Sequence, residues 1–140
     1  MACVVTFCLS EDRRRAKDLV KPFASFFQIF YPDSLKALNI SNSEIEKLRK
    51  IGLKKSQDSM HAEDYEQVVE ETKFIPDYIS DNLALGGNVE DFEKKISDLE
   101  KLGINEIFFR PFFTYKIDGI EGDQFTIINN LGKNVISKFK

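Results

Sequence analysis

The sequence predicts an α/β fold with about three parallel strands and a helical insertion between the first and the second of them. Two observations lead to this prediction. A nearly continuous apolar run, residues 3–9, stands near the start of the chain, and residues 83–111 place a helical pattern between two further apolar runs. Two strands joined through a helix pair in parallel, because the crossover returns the chain to the same end of the sheet. The 140 residues suit a single domain, 1–140, with one hydrophobic core.

The opening run reads CVVTFCL and contains several β-branched residues. Such a run is typical of a strand that is buried on both faces, as in a parallel sheet. Ser10 is a suitable N-cap for the helix that follows, in which Ala16 and Leu19 lie on the apolar face. Residues 13–17 carry three arginines and a lysine, which we interpret as a solvated helix face beside acidic neighbours. Pro22 cannot donate a backbone hydrogen bond, so we expect this helix to end there.

Residues 23–82 predict a series of short helices. Four phenylalanines share one face of the first of these helices: Phe23, Phe26, Phe27 and Phe30. Such a stripe can line a cofactor pocket, but buried core or a subunit interface is the favoured interpretation. The only histidine, His61, begins a later helix without a partner arrangement typical of catalysis, so we interpret it as a surface residue rather than a general acid.

The stretch 83–111 reads as strand, glycine turn, helix and strand. Leu83-Ala84-Leu85 is followed by Gly86-Gly87-Asn88, and apolar residues then recur at spacings of three and four: Val89, Phe92, Ile96, Leu99 and Leu102. This spacing puts one apolar stripe on a helix. Asn88 is a good N-cap, and Gly103 suits the left-handed position that ends a helix. Residues 104–109 predict the last strand, which Arg110-Pro111 ends, and residues 125–139 predict a closing helix.

The glycine turn is also a candidate anion site. Gly86 and Gly87 let backbone N–H groups approach a ligand closely, and the N-terminus of the helix behind them favours an anion such as phosphate. We expect the N–H groups of Gly87, Asn88 and Val89 to be the donors, and Arg110, at the end of a neighbouring strand, to add a charged contact. The alternative is that the glycines only make a tight turn and that Arg110 is a surface charge. Taken alone, the residues favour this alternative.

Composition excludes several classes of protein. A net charge of −3 and a pI near 5.3 argue against a nucleic-acid surface, which would need a basic stripe. Cys3 and Cys8 point to opposite faces of the opening strand, so we expect no disulfide between them. No metal-ligand spacing is present, and the apolar residues 2–9 are too few to span a membrane. We therefore expect a soluble cytoplasmic protein, with no residue that stands out as a proton donor.

Three short stretches of the sequence together resemble those of a known protein family. They are SEDR at 10–13, IPD at 75–77 leading to LALGG at 83–87, and KLGINEI at 101–107. With them the chain resembles the C-terminal part of the bacterial luciferase-like oxidoreductases. That family contains flavin-dependent monooxygenases and deazaflavin-dependent enzymes such as methylenetetrahydromethanopterin reductase. The resemblance covers most of the chain and is weakest over residues 26–60.

The resemblance implies a fold and a cofactor. The family fold is a (β/α)₈ barrel, so the chain would be a partial TIM-barrel-like fragment made of the last three βα units. Barrels of this kind often bind phosphate in the loops after strands seven and eight, which here are Gly86-Gly87-Asn88 and Arg110. The implied cofactor is flavin mononucleotide or the 8-hydroxy-5-deazaflavin coenzyme. A whole barrel takes about 250 residues, and the first five units are absent from this sequence.

Three parallel strands cannot close on themselves, so the resemblance also implies a partner. The partner would be a second copy of the chain or a separate chain that supplies the N-terminal barrel units. The third alternative is that the sequence is a fragment of a longer barrel protein. The first functional hypothesis is the phosphate-anchoring half of a flavin- or deazaflavin-dependent oxidoreductase, active only within an assembly. The alternative is a non-enzymatic oligomeric relative with a structural Gly-Gly turn and a Phe-rich subunit interface.

Overall fold

The structure, a computed structural model, describes residues 1–54, 65–111 and 124–139. The elements follow one another in this order: β1 (Ala2–Leu9), α1 (Arg13–Val20), α2 (Phe23–Phe30), α3 (Pro32–Ala37), α4 (Asn42–Lys54), α5 (Tyr65–Thr72), α6 (Asp77–Leu83), β2 (Leu85–Gly87), α7 (Val89–Lys101), β3 (Glu106–Pro111), α8 (Gln124–Asn134) and a 3-10 helix (Ile136–Phe139). His61 and the predicted loop after Pro111 lie outside the described residues.

The sheet has three parallel strands in the order β2-β1-β3. Residues 7–9 of β1 pair with β2, and residues 2–7 pair with β3. The predicted α/β class, the parallel strands and the helical insertion are therefore confirmed. The prediction that β2 and β3 are neighbouring strands is wrong, because β1 lies between them. Three successive units of a barrel would instead place the second strand in the middle, so the observed order differs from the one that the resemblance implies.

Helices bury the carboxyl-terminal half of β1 from both faces. On one face, the Phe7 ring meets Phe92 of α7 and Phe109 of β3 edge-on, with centroids 5.7 and 5.8 Å apart. Such edge-to-face pairs add about 0.5–1.5 kcal/mol each beyond the area that they bury. On the other face, α1 packs so closely on β2 that its Ala16 carbonyl lies against Gly86. The core thus forms around the central strand.

The helical insertion has a hydrophobic cluster of its own. Its buried members are Ala24, Leu35, Ile40, Ile45, Leu48, Ile75 and Ile79. Residues from four of the inserted helices and from the segments between them meet there, so the insertion is packed rather than loosely attached. Of the predicted phenylalanine stripe, Phe23 is buried, whereas the side chains of Phe26 and Phe30 lie outside the description.

A buried lysine joins α1 to α6. The Lys21 side chain is 4% exposed, and its Nζ lies 3.1 Å from the carboxylates of both Asp18 and Asp77. Arg14 pairs with the same two carboxylates. The predicted acidic neighbours of the basic residues on α1 are therefore present, and two of them neutralise a charge inside the protein, where an unpaired ammonium would be costly.

Several predicted boundaries need correction. α1 is capped by Asp12, which accepts the Arg15 N–H at 2.9 Å, and not by Ser10. The predicted strand over Leu83–Leu85 begins later, because Leu83 still belongs to α6, and Gly86 and Gly87 are strand residues. Leu102 is 72% exposed and lies off the buried stripe of α7, which ends with Leu99.

The predicted N-cap and C-terminal stop of α7 are confirmed. Asn88 caps α7, and Gly103, with φ +80°, ends it. Cys3 and Cys8 are free thiols. The closing helix is present as α8 but gives way to the 3-10 helix near its end. Within the described ranges, no helix is both long and apolar enough to cross a membrane.

Candidate functional site

A cavity of about 340 Å³ opens at the carboxyl end of the sheet. Ligands of open α/β sheets bind at this end, where the loops that follow the strands converge. Three segments form its wall: residues 9–11 at the end of β1, residues 88–90 at the start of α7, and one face of α8. The Ser10 N–H donates to the Gly87 carbonyl at 3.0 Å, which fixes the first two segments to each other. This cavity is the candidate ligand site of the described structure.

The N-terminus of α7 is closed by its own side chains. The Asn88 Oδ1 accepts the Asp91 N–H at 3.2 Å, and the Asp91 carboxylate accepts the Asn88 N–H at 3.2 Å. This is a capping box, which satisfies two of the N–H groups that a helix leaves unpaired. The Asp91 carboxylate also compensates the positive end of the helix dipole. One of the three N–H groups predicted to hold an anion, that of Asn88, is thus already bonded to a carboxylate.

Arg13 holds the Asp91 carboxylate in place. Its Nε and Nη2 donate to the two carboxylate oxygens at 2.7 and 2.8 Å, a bidentate geometry. These charge-assisted bonds lower the pKa of Asp91 below its ordinary value, so the group is ionised at neutral pH. A phosphate approaching the start of α7 would have to displace a carboxylate that is both ionised and paired.

The two glycines have packing roles. A Cβ on Gly86 would collide with the Ala16 carbonyl oxygen and with the Val20 side chain of α1. A Cβ on Gly87 would collide with the Asp91 carboxylate. The absence of side chains therefore lets α1 and Asp91 approach the strand, and the space that a ligand would use above Gly87 is filled by the protein itself.

Arg110 does not reach this region. It pairs with Thr6 in the sheet, whereas Gly87 pairs with Leu9 on the opposite side of β1. The two residues are thus separated by about 10 Å across the strands and about 10 Å along them. The Arg110 Nη2 donates to the Thr6 Oγ1 at 2.9 Å, and its guanidinium carbon lies 5.9 Å from the Phe23 ring centroid. Because neighbouring residues of a strand point to opposite faces, Arg110 lies on the face away from Phe109 and α7.

The chemistry of the cavity wall is acidic and amide-rich. Its described residues are Leu9, Ser10, Glu11, Asn88, Val89, Glu90, Asn130 and Asn134, and no lysine or arginine is among them. Carboxylates repel a phosphate at short range. These residues fit a flavin phosphate poorly, and whether the chain binds one stays a prediction. Sequence reasoning missed Asn130 and Asn134, although their spacing of four puts them on one face of a helix.

A second exposed region lies along β3. Val4 and Phe108 are partners in the sheet, and they are 66% and 55% exposed. Among the residues that the structure describes, none pairs with the outer edge of β3. On the opposite face of this strand, an open groove of about 810 Å³ is bordered by Ile107, Phe109, Ile136 and Phe139 among others. We call the outer edge of β3 together with Val4 and Phe108 the β3 edge.

Comparison with known protein families, with curated proteins and with solved structures gives no match to this chain.

Proposed function

We propose that the chain is a non-enzymatic protein whose function is to associate with another polypeptide through the β3 edge. The observation on which this rests is the exposure of Val4 and Phe108, at 66% and 55%, beside backbone groups that no described residue binds. An open edge with apolar neighbours is a template for pairing with another chain. Association would remove both the unpaired edge and the exposed apolar side chains from water.

Three features of the structure favour this proposal over the enzyme. Gly86 and Gly87 allow Ala16 and Asp91 to pack closely against the strand. Arg110 is bound to Thr6 on the far side of the sheet. Burial raises the pKa of the Cys8 thiol to about 12, so this cysteine is not an activated nucleophile.

Sedimentation velocity over a wide range of concentrations tests the proposal. We expect the average mass to rise from that of one chain toward that of an assembly as the concentration increases. Phe108→Ser should keep the protein folded, because the side chain is largely exposed, and should shift the rise to higher concentration. Phe125→Ser is the matched control, since Phe125 is 74% exposed on α8. A wild-type chain that stays monomeric at high micromolar concentration would contradict the proposal.

The second candidate is the one that the family resemblance implies, the phosphate-anchoring part of a flavin- or deazaflavin-dependent oxidoreductase. The specific observation in its favour is the cavity at the carboxyl end of the sheet, which Asn88 and Val89 border. The cofactor would supply the hydride chemistry, and this chain would contribute part of the wall. The Asp91 carboxylate would have to leave the N-terminus of α7 before a phosphate could bind there.

Titration with flavin mononucleotide and with the deazaflavin coenzyme tests this second candidate. If phosphate competes with Asp91 for the start of α7, then Asp91→Asn should tighten binding, because it removes the repelling charge. Asp98→Asn, on the same helix and away from the cavity, is the control. Absence of any spectral change with the wild type and with Asp91→Asn would rule out the cofactor site.

A further inference from the structure

The outer edge of β3 has defined hydrogen-bonding residues. Pro111 is the sheet partner of Phe7, and it has no N–H to donate. Proline is accommodated in a sheet where its nitrogen points to the outer edge, and bonding to one side recurs at every second residue. The N–H and C=O groups of Ile107 and Phe109 therefore point outward, while those of Phe108 point to β1.

Two oppositely charged side chains flank Phe108 on the exposed face of β3. Glu106 and Arg110 flank Phe108 at equal distances along the strand, and all three project to the face that carries Val4. Glu106 has no hydrogen-bond or ion-pair partner among the described residues. Arg110 gives one N–H to Thr6, which leaves further guanidinium donors for another carboxylate. A strand with opposite charges at equal distances from its centre is complementary to itself when it is turned around.

We propose that the occupant of the β3 edge is a second copy of this chain, paired antiparallel to the first and centred on Phe108. This inference rests on the proposed function and specifies its partner. In this register Ile107 and Phe109 exchange backbone hydrogen bonds with Phe109 and Ile107 of the second copy. The two Phe108 side chains then face each other in a non-hydrogen-bonded pair, where side chains are closest, and each Glu106 faces an Arg110.

Antiparallel pairing also follows from symmetry. Two identical edges form a closed dimer when a twofold axis relates them, and an axis perpendicular to the sheet makes the two strands antiparallel. The dimer contains one continuous sheet of both copies, in which β3 is an interior strand instead of an edge. Each Phe108 is covered by its counterpart, and the charges at the two ends of the strand are paired.

Charge reversal tests the register. Glu106→Lys alone places a lysine opposite Arg110 at both ends of the dimer, and Arg110→Glu alone places a glutamate opposite Glu106. We expect each variant to dimerise about tenfold more weakly or worse than the wild type, since opposite charges across strands stabilise and like charges destabilise.

An equimolar mixture of the two variants should regain wild-type dimerisation. In the mixed dimer the introduced lysine of one chain faces the introduced glutamate of the other, and the native Arg110 of the first faces the native Glu106 of the second. Asp33→Lys, whose native side chain is 91% exposed on α3, is the control and should dimerise normally.

A disulfide measurement is independent of charge. In a Cys3→Ser background, Phe108→Cys should form an intermolecular disulfide in air, because facing residues of a non-hydrogen-bonded pair have Cα atoms about 4.5 Å apart.

Restoration of dimerisation in the mixture of charge variants, together with this disulfide, would support the proposal. Wild-type dimers that neither charge variant weakens would overturn the β3 register while leaving association intact. Weakening without restoration would overturn the antiparallel centre at Phe108. A monomeric wild type would overturn both the register and the proposed function.

Discussion

The carboxylate of Asp91 accepts hydrogen bonds from Arg13 Nε at 2.7 Å and from Arg13 Nη2 at 2.8 Å, and thereby joins the first turn of α7 to the first turn of α1. The same carboxylate accepts the Asn88 N–H. One side chain thus closes the N-terminus of a helix and binds a guanidinium from another helix. Two consequences of this arrangement for stability can be measured.

Replacement of Asp91 by alanine should lower the free energy of unfolding by about 0.5–2 kcal/mol, the range for loss of a helix-capping interaction, because the Asn88 N–H loses its acceptor and the N-terminus of α7 loses a carboxylate. The Arg13 pair adds little, because the Arg13 side chain is 60% exposed to water. Urea denaturation at neutral pH measures the change. Asp33→Ala removes an exposed pair with Lys36 on α3 and should change the unfolding free energy by less than about 0.5 kcal/mol, and an equal effect of both variants would contradict the role of Asp91.

The Asp91 carboxylate, which accepts from both Arg13 and the Asn88 N–H, should make stability depend modestly on pH. Because Arg13 lowers the pKa of Asp91 in the folded state relative to the unfolded state, the stabilisation is complete above the ordinary Asp value of about 4. It is lost as the pH falls through the lower, folded value. Wild-type protein should therefore lose more stability than Asp91→Asn between about pH 5 and pH 2, as followed by urea midpoints. Parallel curves for the two proteins would argue against the pair.

Two glycines should respond to alanine in opposite directions. Gly86→Ala should destabilise by about 1–3 kcal/mol, because the new methyl group meets the backbone of α1, which cannot move aside. At Gly132, inside α8, a new methyl group would meet no atom of the described residues within 4 Å, so Gly132→Ala should stabilise by about 0.5–1 kcal/mol. Thermal unfolding of both glycine variants tests the two predictions. Destabilisation by Gly132→Ala would mean that α8 is packed differently.

The Phe92 side chain should contribute more to the free energy of unfolding than most core side chains do. It is fully buried, and its ring meets Phe7 edge-on and stacks on Phe109 at 6.2 Å. Phe92→Ala should cost about 3–5 kcal/mol. Phe125→Ala, at a side chain that is 74% exposed, should change the unfolding free energy by less than about 0.5 kcal/mol. Comparable losses in the two variants would contradict the orientation of α7.

Much of the fold is predictable from residue pattern because the pattern is local. The run at β1, the N-cap at Asn88 and the stop at Gly103 each depend on a few adjacent residues, and each prediction holds. Strand order is not local. Nothing within residues 83–111 indicates that β1 would enter between β2 and β3, because that choice depends on how the insertion packs on the sheet.

The candidate site was predicted less well for the same reason. Gly86, Gly87 and Asn88 do lie at the carboxyl end of the sheet, as expected for a segment that joins a strand to a helix. The contact of Gly86 with Ala16 joins residues that are distant in sequence, and so does the hydrogen bond of Arg110 with Thr6. Local pattern predicts neither contact. The spacing of residues along the helix also did not predict that Lys21 is buried between Asp18 and Asp77. An exposed basic helix face has the same spacing in the sequence.

The central position of β1 has a consequence for biosynthesis. The Met1 amino group binds the Asn105 side chain across a sequence separation of 104 residues, and β3 follows directly after Asn105. The ribosome therefore makes β1 before both of its neighbours, and β1 waits for β3 until the helical insertion and α7 have been translated. During that interval the backbone groups of β1 that bond to β3 lack their partner, and partly folded chains with unpaired strand edges tend to associate.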